Sequence, residues 1–387
     1  MAEKVRLRWV MSTEARLLAA LTLALVVFGL ATLYSASALV ALQQGRPGSY
    51  FFARQGEGVL AGLVLFALAA KWDAERLERW AWPLMHISIA LMLLTVLPFT
   101  ESLAPRVNGS RRFVLGTALQ PSELGKLAVV VWTAMVVVKK GERVRRLRRG
   151  ILPVLAVIGV LDVLAFLEPD LSVAMLYTLV AALLLFAGGA RIGHFVFLGT
   201  LAVALLWQQA LKFQYAVLRV ASFLDPGGAP EGIQYQLKQS LIAVGSGGLF
   251  GRGFGNGRQQ YGFVPLGYND FIASTIGEEW GFLGMVAVVL AFAFYGYLGF
   301  RIAKMARTQF LQLVAVGLTF VTVVTAFLHL GVVVGLLPTT GITLPFVSYG
   351  RTNLLLSLVS TGILVNIGSR RERVMAMATA PSLAVRT

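Results

Sequence analysis

ARLLAALTLALVVFGLATLYSASALVA, residues 15–41, contains one charged residue, Arg16, and no Pro, Asn, Asp or Glu that would break or cap a helix. A helix needs about 20 mainly apolar residues to cross the ~30 Å hydrocarbon core of a bilayer. In lipid, a single segment can satisfy its own backbone N–H and C=O groups only as a helix. The run follows a basic start (Lys4, Arg6, Arg8), exceeds a signal-peptide core and lacks a clear cleavage site. It reads as a first membrane span that stays in the protein.

Working outward, further apolar stretches lie near 51–70, 80–98, 121–138, 151–168, 171–187, 192–211, 273–300, 310–337 and 346–367. The expected fold is an all-α polytopic membrane protein of about ten transmembrane helices. Only Glu168, Pro169 and Asp170 separate the fifth stretch from the sixth. The composition agrees, with 57% hydrophobic residues, 13% charged and a mean hydropathy of +0.76. A soluble domain carries roughly 25% charged residues.

The net charge of +16 would suggest nucleic acid in a soluble protein. Here the basic residues fill short gaps between apolar runs, so the charge reads as topology and nucleic acid is set aside. With the N-terminus inside, the inward turns hold Lys71, Arg76 and Arg79, then Lys139 through Arg149, then Arg191, then Arg301, Lys304 and Arg307. Arg370, Arg371 and Arg373 follow in the tail. That is the positive-inside bias, and such a surface lies against anionic lipid. The organisation expected is a cytoplasmic N-terminus (1–14), helices 1–7 (15–211), a large extracytoplasmic loop (212–272), helices 8–10 (273–367) and a disordered cytoplasmic tail (368–387).

There are no cysteines, which excludes disulfides, thiolate catalysis and Cys-based metal sites. His86, His194 and His329 match no ligand spacing. Charged groups in a span cost about 2.5–3.5 kcal/mol on insertion scales and are kept for pairing or function. Glu123 and Lys126, in QPSELGK, share a helix face and can pair. They fit a helix start, with Glu123 at the positive dipole end, as well as they fit a functional pair. Asp162 in the fifth stretch fits a buried hydrogen bond as well as catalysis.

The outer side collects Arg111 and Arg112, Glu168 and Asp170, then Arg219, Asp225, Lys238, Arg252, Arg258 and Asp270, then Arg351. Mixed charge at a membrane rim suits an amphiphile with a phosphorylated head group, and it equally suits a solvated loop with ordinary ion pairs. The run VGSGGLFGRGFGNGRQQ, 244–260, would let backbone amides approach an anion. It has no GK[ST] closure and no βαβ context, so it is neither a Walker loop nor a dinucleotide fingerprint. Asp270, in YNDFIASTIGEEWG, is the last charge before an apolar run; Glu278 and Glu279 follow inside that run. A carboxylate at the membrane rim keeps proton exchange with solvent, which suits a general base.

Taken in order, YSAS (34–37), NGSRRFV (108–114), QPSELGKL (120–127), EPDLS (168–172), RVASFLDP (219–226), QLKQSLIAVGSGGLFGRGFGN (236–256), NDFIASTIGEEWGFLG (269–284) and GLLPTTGITLPFVSYG (335–350) resemble the SEDS family of shape, elongation, division and sporulation proteins. TGITLP is closer to the family's division branch than to its elongation branch. The resemblance implies a ten-helix fold and an inverting peptidoglycan glycosyltransferase that polymerises lipid II, a disaccharide-peptide on undecaprenyl pyrophosphate. It implies a class B penicillin-binding protein and other divisome or elongasome membrane proteins as partners, in a bacterial plasma membrane, with both termini cytoplasmic and the active site outside. The family's essential acid maps onto Asp270. Substrate contacts are expected from Arg111, Glu123, Lys126, Asp170, Arg219, Lys238, Arg258 and Ser348. A Mg²⁺ or other divalent cation on the phosphate oxygens is compatible with the chemistry, with no organic cofactor.

The chain also departs from the family pattern. Pro265-Leu266-Gly267-Tyr268-Asn269-Asp270 stands where P-E-x-H-T-D is usual. Ser348-Tyr349-Gly350-Arg351-Thr352-Asn353 stands for S-Y-G-G-S-S, and Glu168-Pro169-Asp170-Leu171-Ser172 for Q-P-D-L-G. Two other functions are carried beside the first: a flippase for polyprenyl-linked sugars, motivated by Glu123, Lys126 and Asp162, and a non-catalytic division scaffold, motivated by these departures.

Overall fold

The computed structural model describes residues 5–105, 111–114, 119–209, 223, 231–258, 261–265 and 267–375. Its helices are α1 (Thr13–Gln43), α2 (Tyr50–Lys71), α3 (Leu77–Val96), α4 (Pro121–Lys140), α5 (Leu152–Leu167) and α6 (Leu171–Ala187). They continue with α7 (Ile192–Gln209), α8 (Glu231–Ser246), α9 (Ile272–Lys304), α10 (Gln309–Val333) and α11 (Arg351–Ile367). Among the described residues, seven helical stretches are long and apolar enough to cross a membrane, and α6 and α11 are shorter apolar helices. The chain is an integral membrane protein of the expected helical class.

The helix ends follow local chemistry. Ser12 caps α1 by accepting from Ala15 N at 3.1 Å, Asp170 caps α6 through Val173 N at 3.3 Å, and Thr308 caps α10 through Leu311 N at 3.2 Å. Pro121 opens α4, where its missing N–H costs nothing. Lys139 and Lys140 close α4 at the negative dipole end. α4 is the most enclosed of the long spans and packs against α3, α5, α6, α10 and α11. α11 lies chiefly along α2. Glycines set the closest approaches: a methyl on Gly125 of α4 would sit 2.2 Å from the Tyr177 hydroxyl of α6.

Three features differ from a plain bundle. First, α9 is broken at Gly281, which sits at φ 66° and ψ −161°. The freed backbone groups exchange hydrogen bonds with the glycine-rich run. Arg252 N and Gly253 N donate to the carbonyls of Glu278 and Glu279, at 3.0 and 3.1 Å. Phe282 N and Leu283 N donate to those of Gly248 and Leu249, at 2.9 and 3.2 Å. Irregular backbone within a membrane needs internal partners of this kind.

Second, the expected tenth stretch begins as buried non-helical chain. Ile342, Leu344, Phe346, Val347 and Ser348 are buried, and the helix starts only at Arg351. This segment dips to the middle of α1, where a methyl on Gly29 would lie 2.5 Å from the Phe346 carbonyl oxygen. Third, Val5–Met11 pairs antiparallel with Ser369–Met375, so part of the tail expected to be disordered forms a two-stranded ribbon with the N-terminus. The alternation in VRLRWVM has the period of two that a strand needs.

Candidate functional site

The basic helix ends lie together: Arg301 of α9 pairs with Glu14 of α1 at 3.1 Å, and Arg307 donates to the Ser369 carbonyl at 2.8 Å. Asp270 lies at the opposite end, half-buried, just before α9. Two contacts hold the preceding chain. The Ser348 hydroxyl donates to the Asn269 carbonyl at 2.7 Å, and Tyr349 N donates to the Tyr268 carbonyl at 3.1 Å. The Tyr268 ring packs against Phe51 of α2 and against Tyr349, with centroids 4.6 and 5.8 Å apart. Burial raises both phenols, so both stay neutral.

Arg112 and Asp270 both reach the space beside Gly341. A methyl built on Gly341 would lie 3.9 Å from Arg112 Nη1 and 4.0 Å from Asp270 Oδ2, so the two side chains border one gap above that glycine. The arginine is aimed from behind. Its Nε donates to the Glu168 carbonyl at 3.0 Å, its Nη2 to the Pro169 carbonyl at 2.5 Å, and its Nη1 lies 3.5 Å from Asp170 Oδ2. Burial raises the Asp170 carboxyl; the Arg112 guanidinium, the Val173 N–H and Lys126 pull the other way. Burial also pushes the Glu168 carboxyl up to about 8, against a hydrogen bond from Thr95.

Below this rim, Lys126 Nζ lies 2.7 Å from Glu123 Oε1, both buried, and Asn353 Nδ2 of α11 donates to Glu123 Oε2 at 3.2 Å. Glu123, Lys126, Asn353, Ser357, Thr322 and Thr325 border a cavity of about 30 Å³. The Lys126 and Glu123 charges lie near enough to act on the Asp170 carboxyl in opposite directions.

The other sequence candidates are placed differently. Arg111 turns away from Asp270's gap and donates to the carbonyls of Ala104 and Leu97 and to Thr100 Oγ1, at 2.9, 2.8 and 2.9 Å. Ser348 is buried, with its hydroxyl accepting from Leu344 N at 2.9 Å as it donates to Asn269. Lys238 is exposed on α8, which packs on α9 and α10. The Arg258 side chain is exposed, while its backbone N donates to Glu278 Oε1 at 2.8 Å. Arg219 lies outside the described residues.

The glycine-rich run does cradle an anion, and the anion is the chain's own. The buried Glu278 carboxylate takes the Arg258 N–H and lies 3.9 Å from Arg252 Nη1. Glu279 takes a hydrogen bond from Ser35 of α1. The guanidinium carbons of Arg46 and Arg54 stand 4.3 and 5.2 Å from the centre of the Tyr50 ring. Sequence reading singled out neither these two arginines nor Gln55; the one available signal was their place where an apolar run begins.

A family model described as "Cell cycle protein", covering FtsW, RodA and SpoVE, matches residues 15–373. The chain belongs to the FtsW/RodA/SpoVE family. Among curated FtsW/RodA/SpoVE relatives, "Probable peptidoglycan glycosyltransferase FtsW" of Trichlorobacter lovleyi is 36% identical over 351 residues, 90% of this chain and 91% of that one. "Stage V sporulation protein E" of Bacillus subtilis is 36% identical over 364 residues, 92% of this chain and 97% of that one. Among solved structures, a chain of a peptidoglycan synthase complex, studied for the coordination of polymerization and crosslinking, superposes with a TM-score of 0.75 at 26% identity, covering 91% of this chain and 96% of that one. Thermus thermophilus RodA superposes with a TM-score of 0.65 at 26% identity, covering 91% and 95%.

Among the described residues, no three His, Asp or Glu side chains gather as a metal cage. Glu168 and Asp170 are instead committed to Thr95, Arg112 and Val173 N. These groups do not form a cage for a metal held by protein alone.

Proposed function

We propose that this FtsW/RodA/SpoVE-family protein is a peptidoglycan glycosyltransferase that polymerises lipid II on the outer side of a bacterial plasma membrane. The observation that carries the reading is the gap over Gly341, bordered by a carboxylate and by a guanidinium aimed from behind. A GlcNAc 4-hydroxyl enters the gap and attacks the anomeric carbon of the MurNAc that ends the growing chain. Asp270 takes the hydroxyl proton as the C–O bond forms. The bond from the anomeric carbon to the phosphate oxygen breaks, its electron pair leaves with undecaprenyl pyrophosphate, and the configuration inverts. Arg112 stabilises the charge on that leaving group, where a preorganised donor is worth most. The curated relatives' names support the same activity, and the likeness to a synthase complex supports a class B penicillin-binding partner.

The test is glycan synthesis from lipid II by the purified protein with its penicillin-binding partner, read on gels. Asp270→Asn and Asp270→Ala are expected to slow polymerisation by ~10²–10⁴-fold. Polymer made at the wild-type rate by Asp270→Ala rules the mechanism out. Movement of fluorescent lipid II across vesicles without polymer would favour the flippase, and rescue of a deletion strain by the Asp270→Ala copy would favour the scaffold.

A further inference from the structure

We infer that Gln55 of α2 is a positioning residue for the base, acting on Asp270 through one peptide unit of the segment before α11. The inference rests on the assignment of Asp270 as general base. Gln55 is 2% exposed, and both ends of its amide are used. Its Nε2 donates to the Ser348 carbonyl at 3.0 Å, and its Oε1 accepts from Gly350 N at 3.2 Å.

The peptide unit that joins Ser348 to Tyr349 is therefore held from both sides. Its C=O accepts from Gln55, and its N–H donates to the Tyr268 carbonyl at 3.1 Å. A peptide unit is planar and stiff, so fixing one end aims the other. Hydrogen bonds in series through one amide also polarise each other. Phe51, one turn before Gln55 on the same face of α2, packs on both Tyr268 and Tyr349, at 4.6 and 5.3 Å between centroids.

The Ser348 side chain completes the strap. The Asn269 carbonyl, which accepts its hydroxyl at 2.7 Å, belongs to the peptide unit whose nitrogen is that of Asp270. Holding that carbonyl sets φ at Asp270. On the far side, Ser274 N donates to the Phe271 carbonyl at 2.9 Å and begins a helical turn one residue after Asp270. The backbone that carries Asp270 is thus held by bonds on both sides, and the upstream pair traces to a helix that contributes no carboxylate to the gap. A base displaced by about 1 Å can lose ~10²-fold in rate with its chemistry unchanged. A buried, fully bonded glutamine is the residue type that prevents such a displacement, because its amide supplies a donor and an acceptor in one plane.

The experiment compares turnover and half-saturating lipid II for wild type, Asp270→Asn, Gln55→Met, Ser348→Ala and the Gln55→Met/Ser348→Ala double variant, each with the penicillin-binding partner. Gln55→Met keeps the length of the side chain and loses both hydrogen bonds. The single variants are expected to lower turnover ~10–100-fold, with half-saturation within about threefold of wild type. The double variant should be no slower than the worse single one, since both act through the same strap.

Turnover within about twofold of wild type in Gln55→Met and Ser348→Ala, alongside an inactive Asp270→Asn, overturns the inference and leaves the proposed function standing. Raised half-saturation with turnover intact overturns it too, because the residues would then be binding substrate. Losses that multiply in the double variant do the same. An Asp270→Asn protein that polymerises normally defeats the proposed function itself. If Gln55→Met does not fold, Ser348→Ala against Ser348→Thr decides: threonine restores the hydroxyl and is expected to restore turnover, and equal turnover in the two overturns the inference.

Discussion

Arg111 and Arg112 are chemically identical neighbours, and the structure gives them different work. Replacing Arg112 with alanine removes its bonds to the Glu168 and Pro169 carbonyls and leaves Asp170, whose side chain is 9% exposed, with the Val173 N–H and the more distant Lys126 charge. Charged hydrogen bonds of this kind contribute ~1.5–3 kcal/mol when fully desolvated. The Arg112 side chain is 28% exposed, so solvent screening reduces the expected loss of stability to about 1–2 kcal/mol. The effect on rate is larger. Removing one preorganised donor from a developing anion costs ~10²–10³-fold in turnover. Lysine keeps the charge but cannot serve three acceptors spread around a planar fork, so Arg112→Lys should fall between alanine and wild type. Arg111→Ala, which releases Leu97, Thr100 and Ala104, should lower the melting temperature and leave turnover within a few-fold once folded. The assay is glycan synthesis from lipid II beside thermal unfolding in detergent. If Arg112→Ala polymerises at the wild-type rate, or if Arg111→Ala proves the slower folded enzyme, the assignment of the leaving-group contact is wrong.

Glu168 carries a pH signature. Its carboxyl lies near 8 when folded against an ordinary 4.5, so between those values the folded chain holds a proton that the unfolded chain has released. Its contribution is therefore lost as pH rises through that window, by up to ~1.4 kcal/mol per unit. Glu168→Gln should flatten the pH dependence of thermal unfolding and stabilise the protein more at pH 8 than at pH 5; parallel curves would contradict this. Gly251→Ala places a methyl 2.1 Å from the Glu279 carbonyl at φ +81°, whereas Gly255→Ala, at φ +76°, meets nothing within 4 Å. The first should cost more than ~2 kcal/mol and the second about 1 in chemical or thermal unfolding. Lys126→Met strands the buried Glu123 charge and should destabilise by ~3–5 kcal/mol, while a Glu123→Leu/Lys126→Met double variant recovers most of that loss in the same unfolding measurement.

The membrane spans were legible because hydropathy and length are local properties. Glu123 and Lys126 were legible as a pair for the same reason: three residues on a helix share a face, and the two groups meet at 2.7 Å. The break in α9 was not, since the 273–300 stretch as a whole is apolar enough to cross a membrane and hydropathy is blind to the sign of φ. Non-helical chain at 346–350 falls inside the expected tenth stretch because buried apolar residues look alike whether lipid or protein covers them. The partner of the glycine-rich run was hidden by distance along the chain, Arg258 N reaching a carboxylate twenty residues on. No local rule separates Arg111 from Arg112; only the turn between α5 and α6, with its two free carbonyls and its capping aspartate, selects the second.

These failures share a cause that bears on how the site works. A lipid-spanning helix satisfies its own backbone and offers few amide groups to anything else. To hold a carboxylate still at the rim of a bundle, the chain must open that ladder and reassign the freed groups. It does so on both sides of Asp270. The 346–350 segment pins Tyr268 and Asn269 upstream, and the glycine-rich run takes up the carbonyls of Glu278 and Glu279 downstream. The stretch between them, Asp270 to Gly277, is short, its residues from Phe271 onward are buried, and it is anchored at both ends. A helix free to slide along its axis would carry Asp270 past Arg112; one fixed at a break on either side cannot. The irregular, glycine-rich and locally unreadable parts of this sequence are therefore those that hold Asp270 in place relative to Arg112.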